Sequence, residues 1–171
     1  MPEGATTAST AKQLMSAYDI QNYLSFDGGA TFIRITEVRS LDPSRENNSY
    51  NTQYIERKTQ VKYATGMQDT VAFEVDAVGP DGIQQHLAKY EDVQNVPVVY
   101  VRTLAYDFEK GAPAPASARV AKKADGIMNQ TPITAEYNNP GVFHGEVSIS
   151  SEYEYGTFDE TSLAFTAKAA G

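Results

Sequence analysis

The chain has no cysteine, no tryptophan, only two histidines, and fewer cations than anions, with 14 lysines and arginines against 22 aspartates and glutamates. The absence of cysteine removes disulfides, thiolate nucleophiles and cysteine-ligated metals. A chain of 171 residues, about one domain long, must then draw its robustness from packing or from assembly. A formal net charge of −8 argues against groove-reading of duplex DNA, which needs lysine and arginine to displace phosphate counterions. No apolar run approaches a membrane span. The N-terminal stretch has no charged segment followed by an apolar core and a small-residue cleavage site. The expectation is a soluble protein made inside a cell.

The same scarcity thins the catalytic options. With histidine only at 86 and 144, a serine or cysteine triad has little to build on. His144 and Glu146 share one face of a strand, but no third ligand stands at a recognisable metal spacing. The glycines at 28, 29, 79 and 82 form neither GxGxxG nor a Gly-Lys-Ser/Thr element. The pairs Glu74/Asp76, Glu152/Glu154 and Asp159/Glu160 alternate or adjoin within strands and turns, as solvated faces do. No catalytic residue, metal ligand or cofactor is assigned, and the chain is not expected to be an enzyme.

What is present is a succession of strand patterns. After the Asp27-Gly28-Gly29 turn, residues 31–41 read as a first strand, whose apolar parity changes near Glu37 and so marks a bulge or a strand end. Residues 60–64 and 69–78 read as two more. In the second, Val71, Phe73, Val75 and Ala77 alternate with Thr70, Ala72, Glu74 and Asp76. Gly79-Pro80-Asp81-Gly82 stops the run, and Asp81 is placed to cap a helix over residues 82–94. There Ile83, Leu87 and Tyr90 form one narrow apolar stripe for packing on the sheet, with Gln84, Gln85, Lys89 and Glu91 on more polar faces. Residues 96–108, 118–124, 133–137, 142–150 and 163–167 supply further strands, and GAPAPAS at 111–117 is a loop. The fold class expected is mainly β, an antiparallel sandwich or rolled barrel with one flanking helix. It forms a single domain over residues 18–171, behind a flexible N-terminal arm of residues 1–17.

Between the first two strands, residues 42–59 contain Pro43, asparagines and mixed charges, and are expected to form a long polar loop without an element of its own. Yet Tyr50, Tyr54 and Ile55 are embedded in it, and Tyr63 follows. Tyrosine is at home in interfaces, where its ring is buried and its hydroxyl stays paired, and it is equally at home in strands. With the neighbouring cations, the candidate interaction residues are Tyr50, Tyr54, Ile55, Arg57 and Lys58.

The arm, the early strand, the polar loop, the run YIERKTQVKYATGMQDTVAFEVDAV, the single helix and NVPVVYVRTLAYDF together resemble, over about residues 32–165, the major tail (tail tube) proteins of long-tailed bacteriophages. The resemblance implies a structural virion protein of the phage tail, made in the host cytoplasm. Six subunits would form a ring, and stacked rings a tube for genome delivery. It implies other tail proteins as partners, such as the tape measure and the terminator, and double-stranded DNA passing through without specific binding. The loop at 42–59 would then be the ring-stacking element. Unpaired strand edges, an association hazard in a monomer, are used up by ring closure, and an acidic channel would repel phosphate. A non-enzymatic binding or decoration module of a virion or cell surface would share the strand pattern without needing to form rings.

Overall fold

The computed structural model of the chain describes residues 14–79 and 82–169. The expected arm falls outside these residues up to position 13, as does the expected cap at Asp81. The described chain begins with a short turn of 3-10 helix, Ala17–Asp19, in which the Asp19 carboxylate accepts a hydrogen bond from the Ser16 backbone N–H at 2.7 Å.

The strands are β1 (Ile20–Ser25), β2 (Ile33–Arg34), β3 (Val38–Thr52), β4 (Val61–Asp76), β5 (Val96–Leu104), β6 (Tyr106–Asp107), β7 (Ala112–Pro113), β8 (Arg119–Thr134), β9 (Val142–Ile149), β10 (Glu154–Asp159) and β11 (Ala164–Ala167). One helix, α1 (Gly82–Lys89), interrupts them. The main sheet is antiparallel and ordered β2-β1-β5-β8-β9-β4-β3, while β10 pairs with the first half of β8 and carries β11 outward. Because β2 and β3 end the order without pairing to each other, the sheet does not close, which rules out the rolled barrel. The mainly β, one-helix expectation holds.

The long strand β8 organises the molecule. Its first half, residues 119–123, pairs with β10, its second half pairs with β9, and β5 runs along its other side. Two apolar layers result. One face of β4, β5, β8 and β9 buries Val71, Phe73, Val75, Val98, Tyr100, Met128, Phe143 and Val147 against Ile83 and Leu87 of α1. On the opposite face of β1 and β5, a smaller layer gathers Tyr23, Phe32, Val99, Val101, Ala121 and Phe158. Hence β5 is buried on both faces and reads as a near-continuous apolar run. Tyr90 packs against the first layer, but Gln84, expected on a polar face, is buried and donates from Nε2 to the Asp76 carbonyl at 3.4 Å.

Several expected elements are corrected. β1 and β10 were not anticipated, and the expected strand at 133–137 is only the end of β8 followed by a turn. α1 ends at Lys89, not at 94. The strand expected over 31–41 breaks where its parity changed: Glu37 adopts φ 54, separating β2 from β3. The largest correction concerns residues 42–59. Residues 42–52 belong to β3 and pair in register with β4, which is itself one continuous strand across the gap expected at 65–68. Only residues 53–60 connect the two.

Candidate assembly surfaces

Two exposed surfaces stand out, and both derive from β3 and β4. The first is the hairpin they form. β9 accompanies β4 only from Asp76 to Thr70. Beyond that point the two strands run on as a two-stranded arm, nine residues or about 30 Å at ~3.3 Å per residue. Residues 42–51 of β3 and 62–68 of β4 are exposed on both faces. Their order comes from the backbone ladder, which is indifferent to whether the side chains are apolar, so the arm carries no hydrophobic alternation. Pro43 is tolerated because β3 is an edge strand. A register shift between Asn48 and Ser49 places Thr65 as the extra residue of a bulge.

The candidate interaction residues all lie on this arm. Tyr50 and Tyr63 are register partners on the two strands, both exposed. Tyr54 and Ile55 sit at the tip, Ile55 fully exposed, and Arg57 and Lys58 follow in the same turn, closed by a hydrogen bond from the Arg57 N–H to the Tyr54 carbonyl at 3.0 Å. From Asn47 to Gln68 the arm carries Arg57, Lys58 and Lys62 against one carboxylate, Glu56. At its root, Arg45 Nε and Nη2 donate to the two oxygens of Asp69 at 2.6 and 2.7 Å, a bidentate pair across the strands. Arg45 holds the Asp69 carboxyl below its ordinary range. Near this pair, the Lys122 ammonium lies 3.9 Å from the centre of the Tyr153 ring. Burial first, then repulsion from Arg102, brings the Lys122 ammonium down to about 8.

The second surface is the uncovered face of the same sheet, opposite the first apolar layer. Alternation and register place Ser40, Asp42, Ser44 and Glu46 of β3, Glu74, Ala72, Thr70 and Gln68 of β4, His144, Glu146 and Ser148 of β9, and Ile127, Asn129 and Thr131 of β8 on it. Four of these residues are carboxylates and none is lysine or arginine. His144 stands among them with Nε2 2.8 Å from Thr134 Oγ1 and Nδ1 3.4 Å from Glu74 Oε1. Among the described residues no group of three or more potential ligands is arranged to hold a metal ion. On the core side of the same sheet, Gly145 of β9 lets the Phe73 ring pack over its backbone. Sequence reasoning chose the arm for its tyrosines but missed this face. Its signal was the polar half of the alternation in β4 and β9, which shows a sheet only once the register is known.

The helix residues Ile83 and Leu87 lie in the core and take no part in either surface. Among the described residues, no helix is long and apolar enough to cross a membrane.

No protein-family model matches the sequence, and no curated protein matches it. Solved structures do share the fold. A chain in the tail of an empty gene transfer agent particle, obtained by helical refinement with C6 symmetry, superposes with a TM-score of 0.59 at 9% identity, covering 83% of this chain and 98% of that one. A chain in the virion of a native gene transfer agent particle gives 0.56 at 8% identity, over 83% and 98%. A chain in the six-fold symmetrised baseplate of the anti-feeding prophage gives 0.52 at 8% identity, over 84% and 96%. At such identities the likeness is one of fold, and it extends over nearly the whole of each neighbour.

Proposed function

We propose that this chain is a structural subunit of a phage-tail-like tube, assembling into six-membered rings that stack through the β3–β4 arm. The observation that carries this reading is the arm itself: about 30 Å of two-stranded sheet, exposed on both faces, tipped with tyrosine, isoleucine and cations. A monomer gains nothing from such an extension. Open sheet edges of this length are association hazards unless a partner covers them. Two of the fold neighbours lie in assemblies of six-fold symmetry, a tail with C6 symmetry and a six-fold symmetrised baseplate, which supports rings of six.

In such a tube the uncovered face of β3, β4, β9 and β8 lines the channel. Asp42, Glu46, Glu74 and Glu146 repeat in every subunit, so double-stranded DNA meets like charge and slides without specific binding. The role is structural, not enzymatic, and the partners are further copies of this chain together with tape-measure and terminator proteins at the ends of the tail of a virion.

Negative-stain electron microscopy of the purified full chain over a concentration series tests the reading. Tubes or six-fold rings are expected. A protein that stays monomeric at the highest concentration would leave a binding or decoration module as the better account.

A further inference from the structure

The strand directions give the molecule two distinct ends. β4 runs from the arm, at Val61, back to Asp76, where Val142 begins β9 and Thr134 ends β8. At this opposite end the Ala77 N–H donates to the Gly141 carbonyl at 2.7 Å, and the Ile133 N–H donates to Glu91 Oε1 at 2.6 Å. Those bonds draw three segments into one corner: the turn that follows α1 (residues 90–93), the β8–β9 turn (residues 135–141) and the end of β4. The corner exposes apolar surface that none of the described residues covers. Tyr137 is 94% exposed, Val93 and Val78 are both 47% exposed, and Ile133 is 42% exposed. Around them stand Asp92, Glu136, Glu91 and Glu37, with Lys89 and the ion-paired Arg39 and Asp76 as the other charged groups.

We infer that this corner is the seat for the arm of a second copy of the chain, with Tyr54 and Ile55 on the Val93–Ile133–Tyr137 patch and Arg57 and Lys58 facing Asp92 and Glu136. The inference rests on the tube reading above and names the receiving surface that it leaves open. Two observations carry it. The tip is apolar and cationic where the corner is apolar and acidic, so the pair is complementary whereas tip-to-tip or corner-to-corner contacts set like charges together. Tip and corner also lie at opposite ends of the same strand. Joining them is therefore a head-to-tail contact that repeats by translation, the geometry that builds a filament rather than a closed dimer.

The test places a photo-crosslinker in the full chain as Ile55→p-benzoylphenylalanine, irradiates the assembled tubes, and maps the joined peptides by mass spectrometry. Crosslinks to residues 89–95 or 133–141 of another copy are expected. Crosslinks confined to other surfaces in intact tubes would overturn the seat and leave the tube standing. If no assembly forms at all, both fall. A charge exchange gives an independent readout. Arg57→Glu with Lys58→Glu should lower tube yield about tenfold or more through like-charge contact. Adding Asp92→Lys with Glu136→Lys to the same chain should restore it. Failure of the second pair to restore yield, with both variants folded by circular dichroism, counts against the inference.

Discussion

Between Val71 and Val75, β4 buries Val71, Phe73 and Val75 to 3% exposure or less, whereas the residues from Lys62 to Gln68 of the same strand are exposed on both faces. The pairing with β3 runs through both halves, with register shifts at Arg39 and at Thr65. What changes is the third layer: the inner half has α1 and β9 against it, and the outer half has only its partner strand. Backbone pairing is thus sufficient to shape the arm once the inner half has set its register, but only the inner half contributes apolar burial to the subunit.

Phe73 carries the largest difference between the two halves. Phe73→Ala should cost about 3–5 kcal/mol of subunit stability in denaturant unfolding, whereas Tyr63→Ala, on the outer half, should stay within ~0.5 kcal/mol. Equal losses would mean that the arm packs on the body. Leu87→Ala, which removes the lid over the inner half, should cost ~2–5 kcal/mol. An unchanged midpoint would place the helix outside the core. Gly145→Ala pushes a methyl into the Phe73 ring and should cost about 1–3 kcal/mol, less if the ring can turn aside. A neutral result would show that the ring does not rest on this glycine.

Lys122, at the junction of arm and body, gives a smaller effect with a definite sign. Its folded-state value near 8 lies below the ordinary 10.5, so between these pH values the unfolded chain binds more protons than the folded one. Stability from this group therefore rises as pH increases through that window, and the cost of burying the charge is present in full below it. Chemical denaturation from pH 7 to 10 should show a rise in the parent chain relative to Lys122→Met, and parallel profiles would remove the burial argument. The least effect on the subunit comes from replacing residues 50–63 with an Asn-Gly turn joining the register partners Ser49 and Ala64. Unfolding should shift by less than ~0.5 kcal/mol, while tube assembly seen by electron microscopy is lost. Tubes of normal length from this variant would show that the arm does not stack the rings.

Alternation made the inner half of β4 and the stripe of α1 legible, because burial on one face imposes period two on a strand and period 3.6 on a helix. It failed on the arm, on β10 and on β1. A strand exposed on both faces, as in residues 42–51, selects for no pattern at all. β10 alternates little, since Phe158 is its one buried residue and Gly156 leaves no room for a side chain beside the Thr166 backbone. Tyr23, Leu24 and Ser25 at the end of β1 are buried in succession, so the run lacks the signature of a half-exposed strand. The tyrosines and cations of the arm could be picked from composition, but not their placement across a ladder.

That the chain is β-rich with one helix, acidic, free of disulfides and poor in catalytic groups follows from residue types and short-range periodicity. Tertiary structure alone decided that the polar stretch becomes an arm, that four carboxylates of β3, β4 and β9 share one open face, and that tip and acidic corner lie at opposite ends. Each of these depends on strand register and on which strands are neighbours. Pairings between residues far apart in the chain settle such matters, and local preference does not encode them.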